Sequence, residues 1–194
     1  MATSAITGTA EGTLATGERI INGLTINKYG QEVDYLFKAS NGTIYAGAKD
    51  GLYKSENGAD FTRIDSVNSS TTYCAINFLE ASDGIIYIGT GDFYDYGLYK
   101  SENGTDFTKI SSVSGWVTSL LEASDGAIYA VTNHGSDRYG IYKSEDGIDF
   151  TQINLVNGRI NYFFSDGIIY IGTNNGLYKS ENGTDFTKRL IFAN

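Results

Sequence analysis

The chain has no proline, one cysteine, one histidine, one methionine and one tryptophan in 194 residues. The lone Cys74, in the segment TYCA, lacks a second thiol for an intramolecular disulfide and a neighbouring histidine for metal ligation. It reads as a small, partly buried residue. Without proline, chain reversals fall to the 24 glycines, many of them in Asn-Gly and Asp-Gly pairs. Basic residues are scarce too, 14 against 23 acidic ones, and the net charge of −9 repels phosphate backbones and anionic lipid. A nucleic-acid partner is therefore not expected. The first 30 residues hold no run of 7 apolar residues, and no stretch approaches the roughly 20 that a membrane span requires. The expectation is a soluble chain without signal peptide or membrane insertion, in a virion or the cytoplasm.

What the chain does have is a repeat. Related segments begin at Val33, Ile76, Val117 and Ile160, and Tyr45, Tyr87, Tyr129 and Tyr170 mark a period of about 42 residues. Each copy holds two turn dipeptides, such as Asp83-Gly84 and Asn103-Gly104, between short segments rich in Ile, Tyr, Val and Phe, the signal for β-hairpins. Four strands per copy follow: A (NFLEA type), B (IIYIG type), C (GLYKS type) and D (DFTKI type). This predicts an all-β fold, a four-bladed β-propeller over 33–194 with four antiparallel strands per blade. A lone blade cannot bury both faces, so blades must stack, with Ile85, Ile86 and Ile88 as packing residues.

Residues 1–32 lie outside the repeat. The segment MATSAITGTAEGTLATG has no amphipathic period, and ERIINGLTINKYG suits one strand, so an extended arm with a capping strand is expected. Such a strand would close the ring, cover a blade edge or pair with another subunit, and the expected partnerships are protein assembly through the arm and a homo-oligomer.

The C-to-D turn, YKSENGTDF in its fullest form and YKSEDGIDF in the third copy, resembles the Asp-box turn of bacterial-neuraminidase-type repeats. Here Phe61, Phe107, Phe150 and Phe186 stand where tryptophan is common, and the spacing from serine to aromatic is one residue shorter. The resemblance implies a propeller and no particular activity, since the box is a structural turn shared by sialidases, lectins and other propellers.

The A-to-B and C-to-D turns are nearly identical in all copies and read as scaffold, whereas the B-to-C connections differ. They are short in copies one and four but run IGTGDFYDY and AVTNHGSDRY in copies two and three. These insertions gather Asp92, Phe93, Tyr94, Asp95 and Tyr96 beside His134, Asp137, Arg138 and Tyr139. Trp116 and Arg159, from the D-to-A linkers, belong to the same end. Aromatic side chains with polar partners suit recognition of a glycan or a protein surface.

Catalytic chemistry finds little footing. A sialidase needs several arginines on the substrate carboxylate, whereas Arg19, Arg63, Arg138, Arg159 and Arg189 are scattered. Glu80 and Glu122 match on strand A of neighbouring copies and fit the acid-base pair of a glycosidase, although copy one has Lys38 and copy four Phe164 there. A charge cluster lining the channel is the preferred account. His134 lacks partners for zinc, Asp92 and Asp95 are too few oxygens for calcium, and IGTGDF precedes no helix that could hold phosphate. No metal or cofactor is expected. Asn41, Asn68, Asn103 and Asn182 lie in glycosylation sequons but read as turn residues. The resulting expectation is a non-catalytic binding or display module, a phage virion component anchored by its arm, with a lectin-like carbohydrate-binding propeller as the alternative.

Overall fold

The computed structural model describes residues 11–13, 19–21, 24–26, 33–48, 51–67, 75–91, 96–133, 139–153 and 158–189. The repeat builds four separate four-stranded antiparallel meanders, each in simple sequential order. Blade one is β4 (Val33–Lys38), β5 (Ile44–Ala48), β6 (Gly51–Ser55) and β7 (Thr62–Ile64). Blade two is β8 (Ala75–Glu80), β9 (Ile86–Thr90), β10 (Gly97–Ser101) and β11 (Thr108–Ile110). Blade three is β12 (Trp116–Glu122), β13 (Ile128–Asn133), β14 (Tyr139–Ser144) and β15 (Thr151–Ile153). Blade four is β16 (Ile160–Ser165), β17 (Ile169–Thr173), β18 (Gly176–Ser180) and β19 (Thr187–Arg189).

The described parts of residues 1–32 form three strands rather than one. An antiparallel sheet runs β1 (Glu11–Thr13), β2 (Arg19–Ile21) and β3 (Leu24–Ile26) in sequential order. The physical reason lies in RIINGLTI, where an Asn-Gly pair separates two runs of high β propensity, a hairpin signal that a one-strand reading overlooks.

Successive side chains on a strand face opposite ways, and a middle blade has a neighbour on each face. Strand β9 is consequently buried along its whole length. Its Ile86 and Ile88 join Tyr45, Leu52 and Ile64 of blade one, while its Tyr87 joins Val117, Ile128 and Tyr142 of blade three. Between blades three and four, Tyr129, Val131 and Ile141 meet Ile160, Ile169, Ile171 and Tyr178. The first strands β4, β8, β12 and β16 lie against one another in series and line one side of the array.

Two polar devices lock these apolar interfaces. The strand B tyrosine, 1% exposed in blades one to three, sends its hydroxyl into the C-to-D turn of the next blade. Tyr45 Oη donates to the Gly104 carbonyl at 3.0 Å, Tyr87 to Gly147 at 3.3 Å and Tyr129 to Gly183 at 3.2 Å. A buried phenol needs such a partner, because an unpaired one loses its hydration without return. The second device is a carboxylate clamp. Ser40 donates its backbone N–H (2.7 Å) and hydroxyl (2.6 Å) to Glu80, and Ser82 does the same to Glu122 at 2.8 and 2.5 Å.

These clamps correct the channel-lining account of the two glutamates: both carboxylates are engaged in holding blade to blade. The strand register also reassigns the fourth copy. Lys38, Glu80 and Glu122 pair with Ile44, Ile86 and Ile128, and the residue paired with Ile169 is Ser165, not Phe164. The A-to-B turn of copy four holds three residues, 166–168, where each other copy holds five, and this two-residue deletion shifts the sequence alignment there.

The hydroxyl bolts make one glycine far less replaceable than another. Gly84 and Gly147 both have φ in the left-handed region, at +86° and +68°. A Cβ at Gly84 would meet open space, whereas one at Gly147 would collide with the Tyr87 hydroxyl. Gly84→Ala should cost roughly 1–2 kcal/mol from backbone strain alone. Gly147→Ala should cost about 2 kcal/mol more, read as the difference between their urea midpoints.

Burial, with the nearby Asp83, Asp146 and Glu122 carboxylates adding to it, pushes the Tyr87 phenol up to about 12. Burial does the same to Tyr129, aided by Asp125 and Glu145. The folded chain thus holds these protons more tightly than the unfolded chain. The stability this contributes is complete below pH 10, the ordinary phenol value, and is lost as pH rises towards about 12. Alkaline titration should show the last tyrosinate absorbance appearing together with unfolding, and Tyr87→Phe should move that unfolding to higher pH.

Candidate ligand-recognition end

The two ends of the array differ in how their connections are held. At one end each C-to-D turn closes on a single side chain. Asn57 Oδ1 accepts from the backbone N–H of Ala59 and Asp60, both at 2.9 Å, and its Nδ2 donates to Asp60 Oδ2 at 2.9 Å. Asn103 and Asn182 repeat this pattern with Asp106 and Asp185. The A-to-B turns beside them are equally fixed, Asp83 Oδ1 accepting from Ile85 N at 2.9 Å and Asn41 Oδ1 from Thr43 N at 2.9 Å. The side chains of Asn41, Asn57, Asp83, Asn103 and Asn182 are thus occupied by the turns themselves.

At the opposite end the B-to-C connections vary in length. Residues 49–50 join β5 to β6 and 174–175 join β17 to β18, but 91–96 join β9 to β10 and 134–138 join β13 to β14. Blades two and three carry the long connections and pack tightly where these emerge. A Cβ at Gly89 would run into the Val117 side chain, and Asn77 Nδ2 donates to the Val117 carbonyl at 3.3 Å.

A repeated irregularity sits at the same end. Each first strand slips by one residue against its neighbour, between Val33 and Tyr35, Ala75 and Asn77, Val117 and Ser119, and Ile160 and Tyr162. The skipped residues are Asp34, Ile76, Thr118 and Asn161. Such bulges bend a strand and re-aim the side chains beside it. Nothing in the sequence pattern marked them.

Of the residues expected at this end, Tyr96, Trp116, Tyr139 and Arg159 fall within the described structure. Tyr96 precedes β10 and is 40% exposed. Trp116 opens β12, lies opposite Asn133, and Asn133 lies opposite Tyr139, so the three form a row across blade three. Asn133 Nδ2 donates to the Tyr139 hydroxyl at 3.3 Å. Arg159 precedes β16, and its backbone is pinned to the neighbouring turn: its N–H donates to Asn174 Oδ1 at 2.8 Å, and its carbonyl accepts from Asn174 N at 3.1 Å. Asp92, Phe93, Tyr94, Asp95, His134, Asp137 and Arg138 lie outside the described residues. Sequence reasoning overlooked Asn133 and Asn174. The signal available was the recurring Thr-Asn at the end of strand B in copies three and four.

No protein-family model matches the chain. Likewise, no curated protein matches it. Solved structures do. A catalytically inactive virginiamycin B lyase from Staphylococcus aureus, solved with quinupristin, superposes with a TM-score of 0.64 at 13% identity, over 86% of this chain and 58% of the lyase. A gluconolactonase from Xanthomonas campestris gives 0.57 at 11%, over 82% of this chain and 62% of that one. The extracellular domain of the one-component system protein BT4673 from B. thetaiotaomicron gives 0.61 at 17%, over 87% of this chain but 23% of the domain. The fold is that of a β-propeller.

The propeller chain thus spans less than two thirds of each of these relatives' length. The comparison also overturns one expectation. Exclusion of catalysis rested on finding no familiar cluster of residues, yet two of the structures sharing this propeller fold are enzymes, a lyase and a gluconolactonase. A propeller's chemistry depends on residues brought together from separate blades, which a linear motif search does not register. On location, the described residues contain no helix long and apolar enough to cross a membrane, and the similar structures include extracellular domains.

Blade three departs from the shared turn, with Asp146 in place of asparagine. Backbone N–H groups of Asp149 and Ile148 and the Ser144 hydroxyl hold its carboxyl below the usual range. A depressed folded pKa means stability that is present above the ordinary value of 3.8 and lost as pH falls through the folded value. Asp146→Asn keeps the acceptor and gains the donor that the other turns direct at aspartate. Thermal melting should show this variant at least as stable as the parent at neutral pH, and losing less stability on acidification.

Proposed function

We propose that this propeller is a recognition module that takes an extended polar ligand, a glycan chain, across the B-to-C end of blades two and three. The observation that carries the reading is the asymmetry of the ends. Long connections occur only on two adjacent, closely packed blades, while the opposite end is uniformly closed by its own turns. The residues supplied there, among them Tyr96, Trp116, Tyr139 and Arg159 with Tyr94 and Arg138, combine flat apolar faces with hydrogen-bonding tips, the chemistry a sugar ring needs. The extracellular domain of similar fold supports a recognition role by analogy of fold alone. Kinship of the C-to-D turns with the Asp-box is part of the same proposal, supported by the way their Asn and Ser side chains close the turn. Display on a virion rests on residues 1–32 and draws no support from the blades.

A glycan array probed with the labelled full chain tests this. Retention of a glycan class, with at least about tenfold weaker binding in the triple variant Tyr94→Ala, Tyr96→Ala, Arg138→Ala, is the expected result. Absence of any retained glycan, or equal binding by the triple variant, would overturn the reading. Chemical change in a retained glycan, followed by mass spectrometry, would assign turnover to the same end.

A further inference from the structure

The three internal interfaces repeat one contact, and the ends of the array carry its two unused halves. Each strand B tyrosine bolts into the glycine of the next blade's C-to-D turn. Tyr170 of blade four is the fourth such tyrosine. Its ring stacks on Phe164 with centroids 5.0 Å apart, and among the described residues no turn carbonyl receives its hydroxyl. Gly58 of blade one is the fourth such glycine, half-exposed where Gly104, Gly147 and Gly183 are buried. Its φ of +74° matches theirs of +68°, +68° and +76°, so the acceptor turn is already formed.

The surfaces around these two groups correspond as well. On blade four, Tyr162 and Phe164 share the face of Tyr170 and are 75% and 53% exposed. The facing surface of blade one bears Leu36, 39% exposed, at the position where blade two buries Phe78 against its neighbour. In blades two and three the residue ending strand A receives the bonds of the preceding A-to-B turn, through Glu80 and Glu122. Blade one has the exposed Lys38 in that place, and the A-to-B turn of blade four holds the exposed Asp166. Cation thus meets anion where a fourth interface would form.

We propose that two copies of this chain join head to tail, blade four of each packing on blade one of the other. The Tyr170 hydroxyl then donates to the Gly58 carbonyl of the second copy, and Lys38 pairs with Asp166. The occupant is a second copy because blade one presents the shape, acceptor and charge that the terminal face of blade four lacks. Each junction continues the internal interface.

Solution mass by light scattering of the full chain tests this, with circular dichroism as a check on folding. The parent should weigh twice the 21.0 kDa of one chain. Phe164→Asp, at an exposed position, should remain folded and become monomeric. Lys38→Glu and Asp166→Lys should each raise the dissociation constant at least about tenfold. An equimolar mixture of these two variants should recover the dimer, because it contains one original and one reversed ion pair. A monomeric parent, whether open or closed on itself, would overturn the proposal. So would a dimer indifferent to Lys38→Glu, which would place the blade four faces against each other.

Discussion

Every blade has two faces that carry apolar side chains, and none can satisfy both alone. That requirement for mutual cover governs the rest. It explains why strand B is mostly apolar, why small residues such as Gly89 sit where a neighbour's Val117 presses in, and why the blades follow one another in series. Hydrophobic contact supplies the drive but little direction. Direction comes from the polar devices, each of which runs from one blade to the next. A tyrosine hydroxyl reaches a turn carbonyl, and a serine reaches a carboxylate. Ser66 adds a third by linking to the Thr105 carbonyl and the Phe107 amide of the next blade.

Much of this was legible in the chain because repetition makes weak signals add. One IIYIG segment is ambiguous between strand and buried helix. Four such segments, each bounded by Asn-Gly or Asp-Gly, are not. The sixteen blade strands fall where the copies predicted, and the observed starts at Val33, Ala75, Trp116 and Ile160 lie within a residue of those read from the repeat. Less visible was anything that depends on register. The four bulges leave no compositional mark, since an extra residue in a strand looks like any other. The deletion in copy four put Phe164 in a column that the hydrogen-bond ladder gives to Ser165.

The site was legible only in outline. Unequal loop length distinguishes the two ends from sequence alone, and Trp116 and Tyr139 do share an edge of blade three. The hidden part was the supporting asparagines. Asn133 bridges towards Tyr139, and Asn174 ties down the backbone of Arg159, yet asparagine is so common in turns that neither stood out. The role of Glu80 and Glu122 was likewise invisible, because two acidic residues in matching columns look the same whether they act on a substrate or on the next blade.

The C-to-D turn has a consequence for the chemical lifetime of the chain. Asn-Gly is the dipeptide most prone to cyclise and deamidate, and this fold uses it in three of its four such turns. At Asn57 the reaction must first release both backbone N–H groups from Oδ1, the aspartate from Nδ2, and the Gly58 nitrogen from Ser55 Oγ. Blade three shows one of the two products, the one in which the cyclic imide reopens to aspartate: with Asp146 the two backbone bonds persist and the link to the aspartate three residues on is given up. Reopening to aspartate therefore removes a bond from the rim of a blade, whereas reopening to isoaspartate lengthens the backbone beside Gly104 or Gly183, whose carbonyls receive the bolts between blades.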